Sequence, residues 1–529
     1  MIEGADAATD PSVDAPAPER RSWGWWIAAI AIALTLVASV VLQLVVRSDL
    51  WLDEALSVNI AKIPLGDLHG ALKRDGAPPL YYVFLHLWIQ AFGSGDVAVR
   101  ALSGVLTVAT YPAMYFAGRR LAGRRGAWAA VVIFASSPYV LRYATETRMY
   151  ALVMFLVAWG YLALLRALER PSLGRLALVT LVVAAVLYTH NWSYYLVATV
   201  GIVVVLRGWK GPTAEARRAG WRVLGAMVVG AVLYVPWLPT VRYQIAHTGT
   251  PWGDARLPWS GLVEFVGDLG AIGVPEHGEL FVYVTIVLAL LLLGLFGAAV
   301  DRRHIDLDLR TRPAVRWEVV VGFGGVLLGL SLSYVGGTAF DGRYGAIGVP
   351  LLLLAVTMGV LTFAGPRVRV VVLVVVVLLG LAGGVRNARD QRTQAGQVAA
   401  VIRSEAQPGD VVVYCPDQLG PSVHRLIGDG RGLTEVTFPA LSGPERVNWV
   451  DYRDRIDATD SEAFVRRVLQ KADGARIWYV VSPGYRSVEG RCEEIADGLA
   501  VARPGAAGRI APDDQTFFEF MGLTEYPGS

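Results

Sequence analysis

The chain has 529 residues, of which 54% are hydrophobic and only 18% charged, and its net charge is +3. Soluble domains carry about 25% charged residues and cannot bury so much apolar surface in one core, so the composition excludes an ordinary soluble protein. The small net charge says little about partners, and we expect no nucleic-acid partner. The two cysteines and seven scattered histidines lack the spacing of a metal site.

The N-terminal segment 1–23 is acidic and rich in Ala and Pro, and we predict that it is a disordered cytoplasmic tail. The apolar run that follows, about 24–47, is long enough to cross a bilayer. It is too long for the core of a signal peptide, and no small-residue cleavage site follows it. We therefore interpret it as a retained first membrane helix.

Further apolar runs predict a polytopic α-helical membrane domain over 24–385, with about eleven spans. Cytoplasmic loops collect Lys and Arg, and the basic loops of this chain place its N-terminus inside. After the first span, the predicted spans are about 98–117, 126–142, 149–166, 175–190, 192–206, 221–239, 279–299, a ninth that ends near 335, 345–364, and an eleventh that ends near 385.

This topology leaves two long outer loops, 48–97 and 240–278. Within the first loop, the segment 79–92 is apolar and rich in aromatic residues but has only about 14 residues, fewer than a span requires. Counting it as a span would also move the later basic loops to the outside. We therefore predict that it is a helix lying in the outer membrane interface.

The segment 386–529 is predicted to be an extracytoplasmic soluble α/β domain. Asp410–Tyr414 and Arg476–Val481 have the apolar character of buried strands, with helical patterns between and around them. Outside the cytoplasm, Cys415 and Cys492 could form a disulfide, and two free buried cysteines explain the sequence equally well.

Two adjacent carboxylates, Asp53 and Glu54, follow the first span at the edge of the hydrocarbon region. Partial loss of hydration raises the pKa of a carboxylate and makes it a better base, which indicates a catalytic role for the pair. The alternative is structural, because acidic residues also stabilise the N-terminus of a helix.

Two arginines, Arg142 and Arg148, lie at the predicted outer end of the third span, where positive charge is otherwise sparse. Guanidinium groups bind phosphate through paired hydrogen bonds, so we predict that they contact a lipid phosphate. Glu146 lies between them and is a candidate substrate contact. It also permits the alternative that an Arg–Glu ion pair ties two helices together.

Four further residues are candidate substrate contacts. His190 and Asn191 form the predicted outer turn between two spans, where polar residues at membrane level indicate a functional site. The alternative is a polar turn in which His190 bonds to a backbone carbonyl. Asp75 and Tyr81 flank a Pro-Pro pair that would by itself only set the start of the interfacial helix.

The sequence Asp341-Gly-Arg-Tyr344 lies at the predicted outer start of the tenth span. Arg343, with glycines on either side of the Arg-Tyr pair, could bind an anionic head group with little steric hindrance, and Tyr344 is placed beside it. The alternative is a single arginine reaching to the lipid interface.

All these residues fall on the same side of the predicted membrane, at the ends of different helices. The interiors of the helices are nearly free of charge. A transporter for a lipid or a polysaccharide should instead have polar residues along the depth of several helices. The distribution therefore favours a reaction site at the outer rim over a transport path, and a scaffold would leave the rim residues unexplained.

The order of these motifs resembles the GT-C glycosyltransferases, close to the family 39-like group that contains protein O-mannosyltransferases and the aminoarabinose transferases that modify lipid A. The resemblance covers about 24–365 and rests on the segments LWLDEALS, DGAPPLYYVFLHLWIQAFG, VRALSGVLTV, FAGRRLAGRRGAW, SSPYVLRYATETRMYAL, YTHNWSYY and DGRYGAIGVPLLL. One residue departs from it: Ala77 precedes the Pro-Pro pair where many relatives have His, so no role of that His transfers to this chain.

The resemblance implies an enzyme that moves a sugar from a polyprenyl-phosphate donor to a hydroxyl group of a glycan, lipid or protein on the outer face of the plasma membrane. It implies Asp53 as the catalytic base, with Glu54 as the neighbour that could share that role. It places the donor phosphate at Arg343 and Tyr344. Inversion at the sugar is expected, and no cofactor is required, although the acidic pair could hold a divalent metal.

Overall fold

A computed structural model of the protein describes residues 23–249, 253–270, 278–309, 315–488 and 490–529. It consists of a helical bundle followed by a C-terminal sheet with flanking helices. The predicted disordered tail, apart from its last residue, lies outside the described residues, as do parts of the outer loop predicted at 240–278.

Sixteen helices make up the described part of the bundle and its outer loops. They are α1 Trp23–Leu44, α2 Leu52–Lys62, α3 Leu65–Asp75, α4 Leu80–Phe92, α5 Asp96–Ser136, α6 Pro138–Ala144, α7 Tyr150–Glu169, α8 Leu173–Leu187, α9 Ser193–Lys210, α10 Ala214–Leu233, α11 Leu238–His247, α12 Pro258–Asp268, α13 Gly278–Phe296, α14 Arg316–Val335, α15 Val349–Thr362 and α16 Pro366–Arg389.

The apolar runs of the sequence form these helices, which confirms a polytopic helical membrane protein. Within the described residues, six helices are long and apolar enough to cross a membrane, and four apolar helices are shorter. One long helix, α5, covers two predicted spans and is interrupted at Ala122 and Gly123. Gly123 has a φ of 62°, which glycine adopts without steric cost, and this break allows the chain to reverse there. The number of spans remains a prediction.

The segment predicted to lie in the interface forms α4. Its 13 residues extend over only about 20 Å, too short to cross a bilayer. One face is buried, including Tyr82 and Leu85, while Phe84 and Leu87 on the other face are exposed. The helix is therefore amphipathic, and its position in the outer interface stays a prediction.

The C-terminal segment contains the predicted α/β structure. Its helices are α17 Ala395–Glu405, α18 Gly420–Ile427, α19 Tyr452–Asp457, α20 Ser461–Ala472 and α21 Arg491–Ala502. After the short hairpin β1 Gly297–Ala299 and β2 Ile305–Leu307, the strands are β3 Val411–Cys415, β4 Thr434–Thr437, β5 Ile477–Val481, β6 Ala507–Ile510 and β7 Gly522–Tyr526. The chain also forms the 3-10 helices Val235–Trp237, Gly342–Ile347, Asp417–Leu419 and Arg486–Val488.

The five C-terminal strands form one sheet in the order β4-β3-β5-β7-β6. The first three strands are parallel, and β7 and β6 are antiparallel to their neighbours. Both strands predicted from the sequence are present as β3 and β5, buried at the centre of the sheet. Of the two interpretations of the cysteines, the disulfide holds: Cys415 at the end of β3 is bonded to Cys492 in α21.

The sheet domain docks on the loop helices between the first two predicted spans. Arg425 forms an ion pair of 2.7 Å with Asp96 at the start of α5, and the amide of Trp449 donates to the carbonyl of Arg74 at 3.1 Å. His247, at the end of α11, lies 2.9 Å from Asp451. The C-terminal domain therefore covers the end of the bundle at which α2 begins.

Candidate active site

Asp53 and Glu54 both lie in the first turn of α2, so the structural alternative, acidic residues at a helix N-terminus, also holds. Their side chains nevertheless enter different surroundings. Glu54 is fully buried, whereas the side chain of Asp53 is 16% exposed.

Glu54 accepts hydrogen bonds from Arg100 at 2.8 and 2.6 Å and from the amide of Thr147 at 3.0 Å, and Arg392 lies 3.4 Å away. Burial by itself would raise the pKa of Glu54, but Arg100 and then Arg392 hold it at about 2. This buried carboxylate therefore links α2 to the three parts of the chain that contain Arg100, Thr147 and Arg392. Its burial does not support the predicted share in base catalysis.

Asp53 faces the partly open side of α2. Its Oδ2 lies 2.7 Å from Nη1 of Arg343 and 3.7 Å from Nη2 of Arg148, and these two side chains are 16% and 14% exposed. Arg148 also donates to the hydroxyl of Ser57 in α2 at 3.2 Å. Two residues predicted to bind phosphate thus converge on the predicted base.

Arg343 is held in position by its own segment. Asp341 caps the 3-10 helix by accepting from the amide of Arg343 at 3.1 Å, and its other oxygen lies 3.2 Å from Nε. The hydroxyl of Tyr139 donates to the carbonyls of Gly342 and Arg343. On the opposite side, the guanidinium group lies 5.7 Å from the ring centre of Trp51. These contacts limit the positions that the guanidinium group can take.

The glycines on either side of the Arg-Tyr pair have a packing role that we did not predict. A Cβ at Gly342 would overlap the carboxylate of Asp268, and a Cβ at Gly345 would overlap the ring of Phe265. Both contacts come from α12, which packs directly on the 3-10 helix. The glycines therefore give room to a neighbouring helix of the protein, and the close packing places a second carboxyl group near Arg343.

Burial, and then the charges of Asp341 and Glu264, raise the pKa of Asp268 to about 8. Asp268 lies outside the predicted spans, in the outer loop.

An aromatic wall continues from Arg343. The ring of Tyr344 stacks on Trp192 at 5.4 Å and lies 5.5 Å from His190, which is 5.6 Å from Tyr150. Among the residues that the structure describes, the ring of His190 forms no hydrogen bond with a carbonyl, unlike the structural alternative. Its Nδ1 instead accepts from the amide of Trp192 at 3.2 Å.

The remaining predicted contacts lie around this cluster, and several have protein partners. Asn191 donates to the carbonyl of Gly76 at 3.1 Å, which ties its turn to the first outer loop. Asp75 accepts from Tyr82 at 3.0 Å, and burial raises its pKa to about 6. Tyr81 is fully buried, so the predicted contact with substrate is not supported by its position.

Arg142 and Glu146 form the ion pair that was the alternative to phosphate binding, at 3.5 Å. Arg142 also donates to Asn387 of α16 at 3.2 Å. The side chain of Arg142 is 23% exposed, more than that of Arg343. Arg142 therefore joins helices and at the same time borders the site.

Several residues at the site were missed by the sequence reasoning. Arg100 and Arg392, which contact Glu54, were not among the predicted site residues. Glu519, from the C-terminal domain, accepts from the amide of Leu52 at 3.0 Å and so caps α2 at the residue before Asp53. Burial raises the pKa of Glu519 to about 8. No local pattern links this residue to a helix more than 460 positions earlier in the chain.

A divalent metal would need several hard oxygen ligands. Among the residues that the structure describes, no group of three or more His, Cys, Asp or Glu side chains is arranged to hold a metal ion. Asp53 is instead surrounded by two guanidinium groups.

Comparison with known proteins places this arrangement in context. Residues 76–239 match the sequence model of the family described as dolichyl-phosphate-mannose-protein mannosyltransferase. No curated protein matches the chain. The structure is similar to that of ArnT from Cupriavidus metallidurans bound to undecaprenyl phosphate, with 14% identity and a TM-score of 0.58 over 95% of this chain and 98% of that one.

The chain has the GT-C glycosyltransferase fold. The family match confirms the enzyme class predicted from the motifs, a glycosyltransferase related to those that use polyprenyl-phosphate-linked donors. The oligosaccharyltransferase of Archaeoglobus fulgidus, tethered with an acceptor peptide, is also similar, with 12% identity and a TM-score of 0.49 over 95% of this chain and 74% of that one. The matched family segment includes Arg142, Arg148 and His190, while Asp53 and Arg343 lie outside it.

Proposed function

We propose that this GT-C protein transfers a sugar from a polyprenyl-phosphate donor to a hydroxyl group of a glycan, lipid or protein acceptor in the cell envelope. The observation that carries the proposal is the 2.7 Å pair of Asp53 and Arg343 in a partly open cluster at the end of the bundle. The pair combines a carboxylate that can take a proton with a cation that can hold a phosphate. The undecaprenyl phosphate bound to ArnT, which shares the fold, supports the choice of donor.

In the proposed reaction, the phosphate of the donor binds at Arg343, with Arg148 assisting. Binding draws Arg343 away from Asp53 and frees the carboxylate. Asp53 then accepts the proton of the acceptor hydroxyl while that oxygen attacks the anomeric carbon. The bond to the phosphate breaks on the opposite face of the sugar, so one displacement inverts the anomeric centre, by analogy with glycoside hydrolysis.

Charge that grows on the departing phosphate is stabilised by guanidinium groups that are already in position. Asp341, Tyr139 and Trp51 contribute by holding Arg343. Glu54 has a positioning role, because its bonds to Arg100 and Arg392 fix the first turn of α2. The proposal needs no metal, since arginines supply the positive charge.

We further propose that the reaction takes place on the extracytoplasmic face of the plasma membrane. The positive-inside rule supports this orientation, because the loops at the other end of the bundle carry the arginines. The residues 24–385 then form the catalytic membrane domain, and 386–529 form an extracytoplasmic domain over the site.

The test uses purified full-length protein, a panel of radiolabelled polyprenyl-phosphate sugars and a cell-envelope acceptor extract, with and without EDTA. We expect one donor to be consumed, with label appearing in the acceptor at a rate that EDTA does not change. The proposal would be overturned if no donor were consumed in extracts that support transfer by another GT-C enzyme. Movement of intact donor across vesicles without sugar transfer would favour a transporter instead.

Orientation is tested separately. Val501 is 85% exposed in α21, so a Val501→Cys variant offers a thiol on the surface of the C-terminal domain. In intact cells, a membrane-impermeant maleimide should label it without permeabilisation. Labelling only after permeabilisation would place the domain in the cytoplasm and contradict the proposed face.

A further inference from the structure

The described part of the bundle contains a large cavity that the proposed reaction does not use. It has a volume of about 630 Å³ and lies between α7, α8, α9, α10 and α14. This size is typical of sites for a small molecule or a single chain. Its walls are mostly Leu and Val, with Val186, Leu196 and Leu351 towards the candidate active site.

The far end of the cavity is basic. Arg207 and Lys210, in the last turn of α9, line it there and are both exposed. Lys210 lies over the ring of Trp209, and Arg207 forms no side-chain ion pair or hydrogen bond with any residue that the structure describes. Two cations at the mouth of an apolar cavity complement an amphiphile with an anionic head group.

A buried pair of polar side chains, Glu318 and Tyr161, lies at the same end of the cavity. Glu318 lines the cavity, is only 7% exposed, and accepts from Tyr161 at 2.6 Å, while its Oε2 has no hydrogen-bond partner. On α14, Gly329 packs against Trp192 and Gly325 against Leu196, so α9 and α14 run antiparallel. This register sets Glu318 beside Val203, roughly 6 Å or one helical turn inward from Arg207. The wall is therefore polar at the depth just inside the cationic mouth and apolar beyond it.

We propose that this cavity binds one acyl chain of an anionic phospholipid whose phosphate lies at Arg207 and Lys210. In the proposed orientation, this lipid belongs to the cytoplasmic leaflet. The site is independent of the transfer reaction and of which donor the enzyme uses.

The sugar donor does not fit this arrangement of charges. Helix α9 begins beside the aromatic wall of the active site and ends at Lys210, and its 18 residues extend over about 27 Å. A donor whose phosphate is at Arg343 therefore cannot place that phosphate at Arg207. Moreover, Trp192 stacks on Tyr344 one turn before Leu196, so an aromatic layer lies between the two regions.

The preference of this site for one lipid over another must come from contacts with the lipid head group. An acyl chain is already in an apolar medium within the bilayer, so moving it into an apolar cavity brings little hydrophobic gain. Each Lys or Arg near an anionic lipid surface strengthens binding several-fold, so two such residues predict a preference of about tenfold or more for an anionic over a zwitterionic lipid.

The test is native mass spectrometry of delipidated full-length protein with equal amounts of phosphatidylglycerol and phosphatidylethanolamine. We expect one tightly bound phosphatidylglycerol in the native protein and a loss of the preference, by about tenfold, in Arg207→Glu/Lys210→Glu. The matched control is Arg218→Glu/Arg222→Glu, which reverses the same amount of charge on exposed residues of α10 away from the cavity lining. It should keep the preference.

A second variant, Val203→Trp, fills the cavity and should remove binding of both lipids while the head-group residues remain. The proposal is overturned if the first charge-reversal variant binds phosphatidylglycerol like the native protein, or if the control loses binding equally. The proposal is also overturned if polyprenyl phosphate displaces phosphatidylglycerol one for one, because the cavity would then be a binding site for the polyprenyl-phosphate carrier.

Discussion

Two neighbouring carboxylates, Asp53 and Glu54, occupy opposite kinds of environment at the start of α2. Glu54 is enclosed by Arg100, Arg392 and a backbone amide, with no exposed surface. Asp53 is paired with Arg343 at a partly open surface where a substrate phosphate can compete for the arginine. A buried ion pair therefore fixes the backbone, whereas an accessible ion pair can be exchanged during a reaction.

The largest effect is expected at the accessible carboxylate. Asp53→Asn keeps the shape of the side chain but removes the base, so transfer should fall by about 10²–10⁴-fold. The thermal midpoint should change little, because the charge is partly exposed. Turnover assays with saturating donor and thermal melting in detergent would measure both. A variant with native activity would show that the base lies elsewhere.

The buried carboxylate should show the reverse pattern. Glu54→Gln leaves Arg100 and Arg392 without a counter-charge in a buried place, which costs about 3–5 kcal/mol when one partner of such a network is removed. We expect a lowered melting midpoint and poor yield, with the protein that remains folded retaining measurable turnover. If Glu54→Gln melts like the native protein and is inactive, the roles that we assign to the two carboxylates are interchanged.

Removing the cation on the other side of the accessible pair tests phosphate binding. Arg343→Met should lower kcat/KM for the donor by about 10²–10³-fold, the usual loss when a group that stabilises transition-state charge is deleted. Arg148→Met should have a smaller effect, because its guanidinium group lies 3.7 Å from Asp53 instead of 2.7 Å. A larger loss with Arg148→Met would move the donor phosphate to that residue.

The fold was predictable where a local sequence pattern determines the secondary structure. The lengths of the apolar segments identified the helices, and the short apolar segment 79–92 forms α4. Two short apolar segments with the character of buried strands form β3 and β5. The common rim was predictable because polar residues at the ends of spans share a side. The 2.7 Å contact between Asp53 and Arg343 was not predictable, because the two residues are 290 positions apart and no local sequence pattern indicates that they pair.

The supporting residues were less predictable still, for a physical reason. In the sequence, a buried arginine such as Arg392 cannot be distinguished from the positively charged residues that flank any membrane helix. Only the tertiary fold shows that it lies under Glu54 and donates to Thr145 at 2.7 and 2.9 Å. The packing role of the glycines beside Arg343 was not predictable for a similar reason, because their neighbour α12 comes from a distant loop.

Acid pH should separate the two carboxylates without any substitution. The pKa of Glu54 is about 2 in the folded protein and 4.5 in the unfolded chain. Its stabilisation is therefore complete above about pH 4.5 and is lost as pH falls towards 2, a difference of about 3 kcal/mol. Melting midpoints of the native protein and Asp53→Asn should fall together over this range, while Glu54→Gln should lack this part of the decline. An equal decline in all three would assign it to other groups.

The smallest effect is expected where α12 packs on the segment that carries Arg343. Gly342→Ala adds a single methyl group that overlaps the carboxylate of Asp268, and overpacking of this kind costs about 1–3 kcal/mol. Because Tyr139 and Asp341 still hold the segment, we expect Arg343 to shift slightly and KM for the donor to rise more than kcat falls. The double variant Gly342→Ala/Asp268→Gly removes the overlapping atoms of residue 268 at the last position of α12, and should recover much of the donor affinity. If it does not, the glycine acts through backbone conformation and not by giving room to α12.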